Sequence, residues 1–241
     1  MRSKNIIAVV IYCFTTFQTT IALASEPKII RAAVAAEFKN GLHTQYLKYI
    51  ADQLGMEISI TTVPFARRIR EVKKGNLDII VGLHYSDERA SELIYIFPAY
   101  EKLSFRLFSL NDNANAIKNY DDLTGQVIGV VRGAKYYSPF EQDKSLNKYP
   151  LQNLNGGINM LLRKRIDLFV HYEESTIATL KSRKLENKIT KTSYQPTHNI
   201  DHYIAISSKS PLAKKAQQLE AIIEKAVKQQ DFLNIRINYQ K

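Results

Sequence analysis

The chain alternates short apolar runs with segments of helical periodicity, and this alternation limits it to a fold that mixes strands and helices. Residues 29–35 form the first apolar run, and apolar side chains then recur at helical spacing over residues 42–54, up to Gly55. Residues 57–63 alternate and are β-branched, as in a strand, and a second helix is predicted over residues 64–74. Strand and helix signals in this order predict α/β layers.

The same pattern restarts in the second half of the chain. Residues 77–81 and 103–110 are predicted strands, and residues 111–119, rich in Asn and Ala, look like a linker. The later predicted elements are strands at 127–131, 167–170, 189–194 and 203–207, and helices at 155–165, 173–184 and 211–229. This order predicts two lobes joined by two crossings, although the linker could equally be a surface loop of one domain. A two-lobed chain binds its ligand in the cleft and closes about the hinge.

The first 24 residues have the features of a cleavable signal peptide. A basic start with Arg2 and Lys4 precedes an apolar run at residues 6–14 and the small-x-small sequence Ala-Leu-Ala at residues 22–24. The alternative is a membrane anchor, but the apolar run is short for a bilayer span. We therefore predict export to the periplasm.

The composition argues against several kinds of chemistry. Cys13 is the only cysteine and lies in this first segment, so the exported chain has no thiol for catalysis, disulfides or metal binding. We find no phosphate-cradling loop and no metal-spaced cluster, and we predict neither a cofactor nor a metal. The formal charge of +11 falls to +9 without Arg2 and Lys4, and the cations are scattered. We predict no nucleic-acid partner; the charge indicates either a solvated basic surface or attraction of anionic ligands.

Several short motifs follow one another in a fixed order. Gly75–Gly82 (Gly-Asn-Leu-Asp-Ile-Ile-Val-Gly) leads to Ser86–Arg89 (Ser-Asp-Glu-Arg) and Phe97–Tyr100 (Phe-Pro-Ala-Tyr). Asp122–Val130 (Asp-Leu-Thr-Gly-Gln-Val-Ile-Gly-Val) and Arg165–Leu168 (Arg-Ile-Asp-Leu) follow in the second half. In order and spacing these motifs resemble the periplasmic solute-binding proteins of family 3, the amino-acid type.

The resemblance extends from residue 29 to about residue 229 and carries expectations about fold and function. It implies a two-lobed periplasmic-binding-protein fold of type II with two hinge crossings, in which residues 25–109 plus 200–241 form lobe I and residues 110–199 form lobe II. It implies capture of a small solute for an ABC permease in the inner membrane, by a monomer that is not an enzyme.

Arg89 is the leading candidate for ligand binding. In amino-acid binders of the family, the arginine at this motif position holds the ligand carboxylate, and a guanidinium offers a planar fork that matches a carboxylate. The alternative is that Arg89 pairs with Asp87 or Glu92 on the surface.

Other positions depart from what the resemblance implies. His84 stands in a loop where the family has hydroxyl side chains, and it could replace their ligand contacts. Arg132, Gly133 and the following Ala-Lys stand where the family shows Gly-Thr or Gly-Ser, which loses the hydroxyl and adds two cations, either for a second anionic group or for solvent. Tyr172 stands where amino-acid binders commonly carry an aspartate for the ligand ammonium, and Glu173 would rescue that role by a one-residue shift or be an ordinary first-turn helix residue.

Aromatic side chains complete the predicted site. Phe38 and Phe65 are the best candidates to line the cleft, and Tyr100 is a further one, because small-molecule sites combine apolar walls with a few polar anchors. The same rings are plausible as core.

Two other functions remain open. The fold is also used by a periplasmic dehydratase of aromatic precursors, and Glu37, His84, His171 and Glu173 are the acid–base candidates, although nothing marks them as a unit. The chain could also be an accessory protein that reports a ligand to a membrane receptor. We favour a periplasmic solute-binding protein that captures a small, polar, carboxylate-bearing solute, an amino acid or related.

Overall fold

The computed structural model describes residues 29–196 and 199–240, without the side chains of Glu37 and Gln240. The signal peptide predicted for residues 1–24 lies outside the described residues. The strands are β1 (Ile30–Val34), β2 (Ile58–Thr62), β3 (Ile79–His84), β4 (Leu93–Leu110), β5 (Val127–Val131), β6 (Asn147–Leu151), β7 (Leu168–Tyr172), β8 (Ile189–Lys191) and β9 (Asn199–Ser207). The helices are α1 (Leu42–Leu54), α2 (Phe65–Lys74), α3 (Asp87–Ala90), α4 (Asn111–Ala114), α5 (Leu154–Leu162), α6 (Glu173–Ser182), α7 (Ala216–Lys228) and α8 (Asp231–Gln240).

The strands follow one path in the order β2-β1-β3-β9-β4-β7-β5-β6, and β8 pairs with β4. β1 runs parallel to β2 and β3, whereas β9 is antiparallel to both β3 and β4. β4 pairs with β9 up to Ser104 and with β7 from Phe105 onwards. We call the strands on the β9 side of this change the first half-sheet and those on the β7 side the second half-sheet. Helices accompany both half-sheets, and the predicted α/β class is confirmed.

Each half-sheet has its own apolar core. In the first, α1 packs Tyr46, Leu47 and Ile50 onto the strands, and α7 adds further apolar side chains. In the second, Phe108 of β4 stacks on Phe169 of β7 with ring centroids 5.4 Å apart. Burial of one such side chain contributes roughly 1.5–3 kcal/mol, so each core stabilises its own strands.

The structure differs from the predicted elements in several places. The segment at 111–119 is not an open linker, because α4 begins directly after β4 and the side chains of Ala114 and Ile117 are buried. The strand predicted at 103–110 is the end of the 18-residue β4. The helix predicted at 211–229 begins as a 3-10 turn at Pro211–Lys215 before α7. β6 and α8 were not predicted, since neither has a clear apolar period.

No helix of the described ranges 29–196 and 199–240 is long and apolar enough to cross a membrane. The continuous strand β4 makes one connection between the half-sheets, and the chain returns from β8 to β9 as the second. The assignment of residues 25–109 plus 200–241 and 110–199 to two lobes stays a prediction.

Candidate functional site

A cavity of about 550 Å³ lies between the two half-sheets. Side chains from β2, α1, α2 and β3 line one side, and side chains from β5, β7 and α6 line the other. Six of the nine predicted binding residues line it: Phe38, Phe65, His84, Arg89, Tyr172 and Glu173. The volume falls in the range of small-molecule sites, which is roughly 300–1,000 Å³.

Arg89 is buried at the point where the two half-sheets meet, with 3% of its surface exposed. Its Nη1 donates to the carbonyl oxygen of His84 (3.0 Å), and its Nη2 donates to the carbonyl oxygen of Gly133 (2.6 Å). The surface ion pair considered for Arg89 is therefore wrong. The side chain instead connects β3 to the loop after β5, and both of these acceptors are neutral.

The loop after β5 rests on the first half-sheet. Gly133 has a φ of +79°, and a Cβ built on it would lie 3.2 Å from the Cα of Ala66 in α2. Lys135 of the same loop forms an ion pair with Glu88 of α3 at 3.4 Å. Gly133 thus contacts Arg89 through its backbone and is not among the cavity-lining residues, and the neighbouring Arg132 is exposed.

Tyr100 lies in the core of the first half-sheet rather than along the cavity. Its ring packs 5.3 Å from that of Tyr46 and 5.1 Å from that of Phe232, measured between centroids. Its neighbour Glu101 lines the cavity instead, since adjacent residues of a strand point to opposite faces.

Two histidines at the cavity are neutral. The ring of His43, which sequence reasoning missed, lies against Gly82. Burial first and the charge of Arg68 second lower the pKa of His43 to about 3. Burial and then the charge of Arg89 lower the pKa of His84. Both rings therefore present uncharged imidazoles at neutral pH.

Replacing Gly82 with alanine should destabilise the protein and displace His43. Gly82 has a φ of +78°, and its Cβ would lie 2.5 Å from Cε1 of His43. We expect a loss of about 2 kcal/mol, from the left-handed backbone and from the clash. Gly125→Ala is the matched control, because Gly125 has a φ of +80° with nothing within 4 Å of its Cβ. Equal losses of stability in the Gly82→Ala and Gly125→Ala proteins, measured by denaturant unfolding, would contradict the predicted clash with His43.

Three described carboxylates line the cavity, and each is ion-paired. Glu173 pairs with Arg106 at 2.8 Å and with Lys191. Glu101 and Glu174 both pair with Arg236 of α8, and the hydroxyl of Tyr46 donates to Glu101. Glu173 therefore has two cations of the protein as its partners.

Tyr172 forms part of the aromatic wall and is tied to β9. Its ring stacks on Phe105 with centroids 4.4 Å apart. Nδ1 of His202 faces the carbonyl oxygen of Ile200 at 2.9 Å and must donate to it, so Nε2 accepts from the Tyr172 hydroxyl at 2.6 Å. Burial raises the pKa of Tyr172 far above its ordinary value, which keeps the hydroxyl protonated.

The other residues missed from the sequence come from distant elements. Arg68 of α2 lies with its guanidinium 5.0 Å from the ring centroid of Phe65 and lines the cavity. Arg236 reaches the cavity from the end of the chain, 135 residues away from Glu101. The amphipathic pattern of α2 could have indicated Arg68, since the residue lies on its inner side, but no local signal points to Arg236.

The family described as bacterial extracellular solute-binding proteins, family 3, matches residues 35–231. No curated protein sequence shows a significant match.

The fold is also found in solved structures. The structure of the amino acid ABC transporter substrate-binding protein AbpA from Streptococcus pneumoniae Canada MDR_19A bound to L-arginine superposes with a TM-score of 0.74 at 17% identity, covering 88% of this chain and 94% of that one. The structure of an ancestral arginine-binding protein bound to arginine superposes with a TM-score of 0.75 at 18% identity, covering 88% of this chain and 97% of that one. The structure of the P235GK mutant of ArgBP from T. maritima superposes with a TM-score of 0.74 at 17% identity, covering 88% of this chain and 94% of that one. At these identities the likeness concerns the fold, and it confirms the predicted type II binding-protein fold.

Proposed function

The chain belongs to the bacterial extracellular solute-binding proteins of family 3, and from this premise we propose that it captures a small carboxylate-bearing solute, an amino acid or a related acid, in the cavity between its half-sheets. The solute is then delivered to an ABC permease of the inner membrane by a monomer in the periplasm. Arg89 is the main partner of the solute carboxylate.

The observation that carries this proposal is the position of Arg89. A buried guanidinium is costly to leave without counter-charge, and the acceptors described above are two backbone carbonyls. A carboxylate in the cavity would supply that charge through short, charge-assisted hydrogen bonds. Because the Arg89–Gly133 contact joins the two half-sheets, the same residue would couple ligand capture to closure.

The enzyme alternative has less support from the contacts. His171 and Glu173 both line the cavity, but Glu173 is held by Arg106 and Lys191. Nδ1 of His171 lies 3.1 Å from Oγ1 of Thr176, and burial lowers its pKa to about 4. The family consists of solute-binding proteins, which favours capture over chemistry.

A binding experiment tests the proposal. The exported chain, unfolded and refolded to remove carried-over ligand, is screened by thermal shift against amino acids, mono- and dicarboxylates, and polyamines. A carboxylate at about 100 times its Kd should stabilise the native state by about 2.7 kcal/mol. Small-angle scattering should show a smaller radius of gyration on binding. Stabilisation by polyamines alone, or by no carboxylate, would contradict the proposal.

A further inference from the structure

We propose that the solute is an organic acid that has an apolar or aromatic body and no ammonium group. This inference rests on the proposed function and narrows its substrate class. It depends on how the cavity distributes charge, on its neutral histidines and on its aromatic walls.

The carboxylates at the cavity already have partners. Among the side chains that the structure describes, five cationic and three anionic ones line it, apart from the histidines. Arg106 and Lys191, which neutralise Glu173, are further cations outside that set. Arg236 lies between Glu101 and Glu174 and is ion-paired to both. Oε1 of Glu101 is buried without a hydrogen-bond partner, so an ammonium that bound there would share a carboxylate whose Oε2 already pairs with Arg236.

The other polar groups described at the cavity carry no negative charge. His43 and His84 are neutral, and the Tyr172 hydroxyl donates its proton to His202. A neutral acceptor can bond an ammonium but cannot replace the hydration and counter-charge that a buried cation loses. The positive excess around the cavity would add repulsion. The cavity therefore disfavours a zwitterion compared with a plain carboxylate.

Aromatic rings form much of the wall on both sides. Phe38 and Phe65 line it from the first half-sheet, and Phe105, Tyr136 and Tyr172 line it from the second. The ring of Phe105 lies 4.8 Å from that of Tyr136 and 4.4 Å from that of Tyr172, between centroids. Such a wall binds an apolar or aromatic body by area burial and ring contacts.

Matched ligand pairs that differ only in the amino group test this inference. The pairs are 3-phenylpropanoate with L-phenylalanine, glutarate with L-glutamate, and 5-guanidinopentanoate with L-arginine. We expect 3-phenylpropanoate to bind most tightly of the three acids, and at least tenfold more tightly than L-phenylalanine, in calorimetric titration; tighter binding of glutarate would overturn the apolar body. An amino acid that binds as tightly as its deamino partner, or more tightly, would overturn the inference while leaving the proposed function intact. Failure of every carboxylate, including those of the wider screen, would overturn both.

Two variants at Tyr172 provide a second, gain-of-function test. Tyr172→Asp places a carboxylate at the cavity, and Tyr172→Asn removes the same ring and hydroxyl without adding charge. The ratio of the affinity for the amino acid to the affinity for its deamino partner should be at least tenfold higher in the Asp variant than in the Asn variant. Equal preferences in both would count against the inference. Glu37→Gln is a separate test, and binding of the deamino acid should be unchanged in it. If the parent protein binds an amino acid tightly and this variant does not, Glu37 is the ammonium partner and the inference is overturned.

Discussion

Replacing Arg89 with alanine should weaken binding of the carboxylate solute by on the order of 100-fold. The substitution removes the guanidinium that we propose binds the solute carboxylate, and also the hydrogen bond to Gly133 that joins the half-sheets. Removal of one partner of a buried, hydrogen-bonded charge pair costs about 2–5 kcal/mol, and about 2.7 kcal/mol corresponds to 100-fold. Calorimetric titration of the best carboxylate from the screen measures the loss.

Arg132→Ala is the matched control for this experiment. It makes the same substitution in the loop after β5, beside the Gly133 that Arg89 contacts, but Arg132 is exposed and is not among the cavity-lining residues. The affinity of the Arg132→Ala protein for the same carboxylate should stay within about twofold of that of the parent protein. The affinity of the Arg89→Lys protein should fall between those of the Arg89→Ala and Arg132→Ala proteins, because the lysine ammonium keeps the charge but lacks the planar fork. Equal affinities of the Arg89→Ala and Arg132→Ala proteins would exclude Arg89 as the carboxylate partner.

The sequence was sufficient to predict the fold class and the position of Arg89 because both depend on local patterns. Alternating apolar runs identified β1, β2 and β3, and a short motif placed Arg89 just after a buried strand. The face of β4 that lines the cavity was not predictable in this way. The β4–β9 register shifts between Ile96 and Glu101, so strand alternation cannot be carried through that region. Tyr100 was predicted to line the cavity only because it is aromatic, and Glu101 lines it instead.

The charge arrangement of the cavity was beyond sequence reasoning for a different reason. Arg236 meets Glu101 and Glu174 only after β4, α6 and α8 have packed together. Glu173 was considered as a partner for a ligand ammonium, yet whether a carboxylate is available depends on cations that come from elsewhere in the chain. Here Arg106 and Lys191 bind it. Pairings over such sequence distances follow from topology, which a local pattern does not contain.

The acidic residue of the Gly75–Gly82 motif, Asp78, should prove to be structural, and its replacement by asparagine should cost about 3 kcal/mol of stability. Its side chain is 6% exposed and forms an ion pair with Arg31 at 2.7 Å. It also accepts from the backbone N–H of Arg31 (2.7 Å) and from the hydroxyl of Ser210 (2.6 Å). Breaking a buried charged network by removing one partner costs about 3–5 kcal/mol, and asparagine keeps one acceptor oxygen, which puts the loss at the lower end.

The pH dependence distinguishes this role from a general loss of packing. Burial alone would raise the pKa of Asp78, but the hydrogen bonds from Arg31 and Ser210 outweigh it and lower the pKa below its ordinary value. A carboxyl whose pKa is lowered on folding stabilises the protein above its unfolded pKa of about 3.9, and this stabilisation is lost as the pH falls through the folded pKa. The difference between parent and Asp78→Asn should therefore be full at pH 6 and shrink below about pH 4. Urea unfolding at several pH values measures it, with the exposed Asp112→Asn as control; a difference independent of pH would contradict the ionic role.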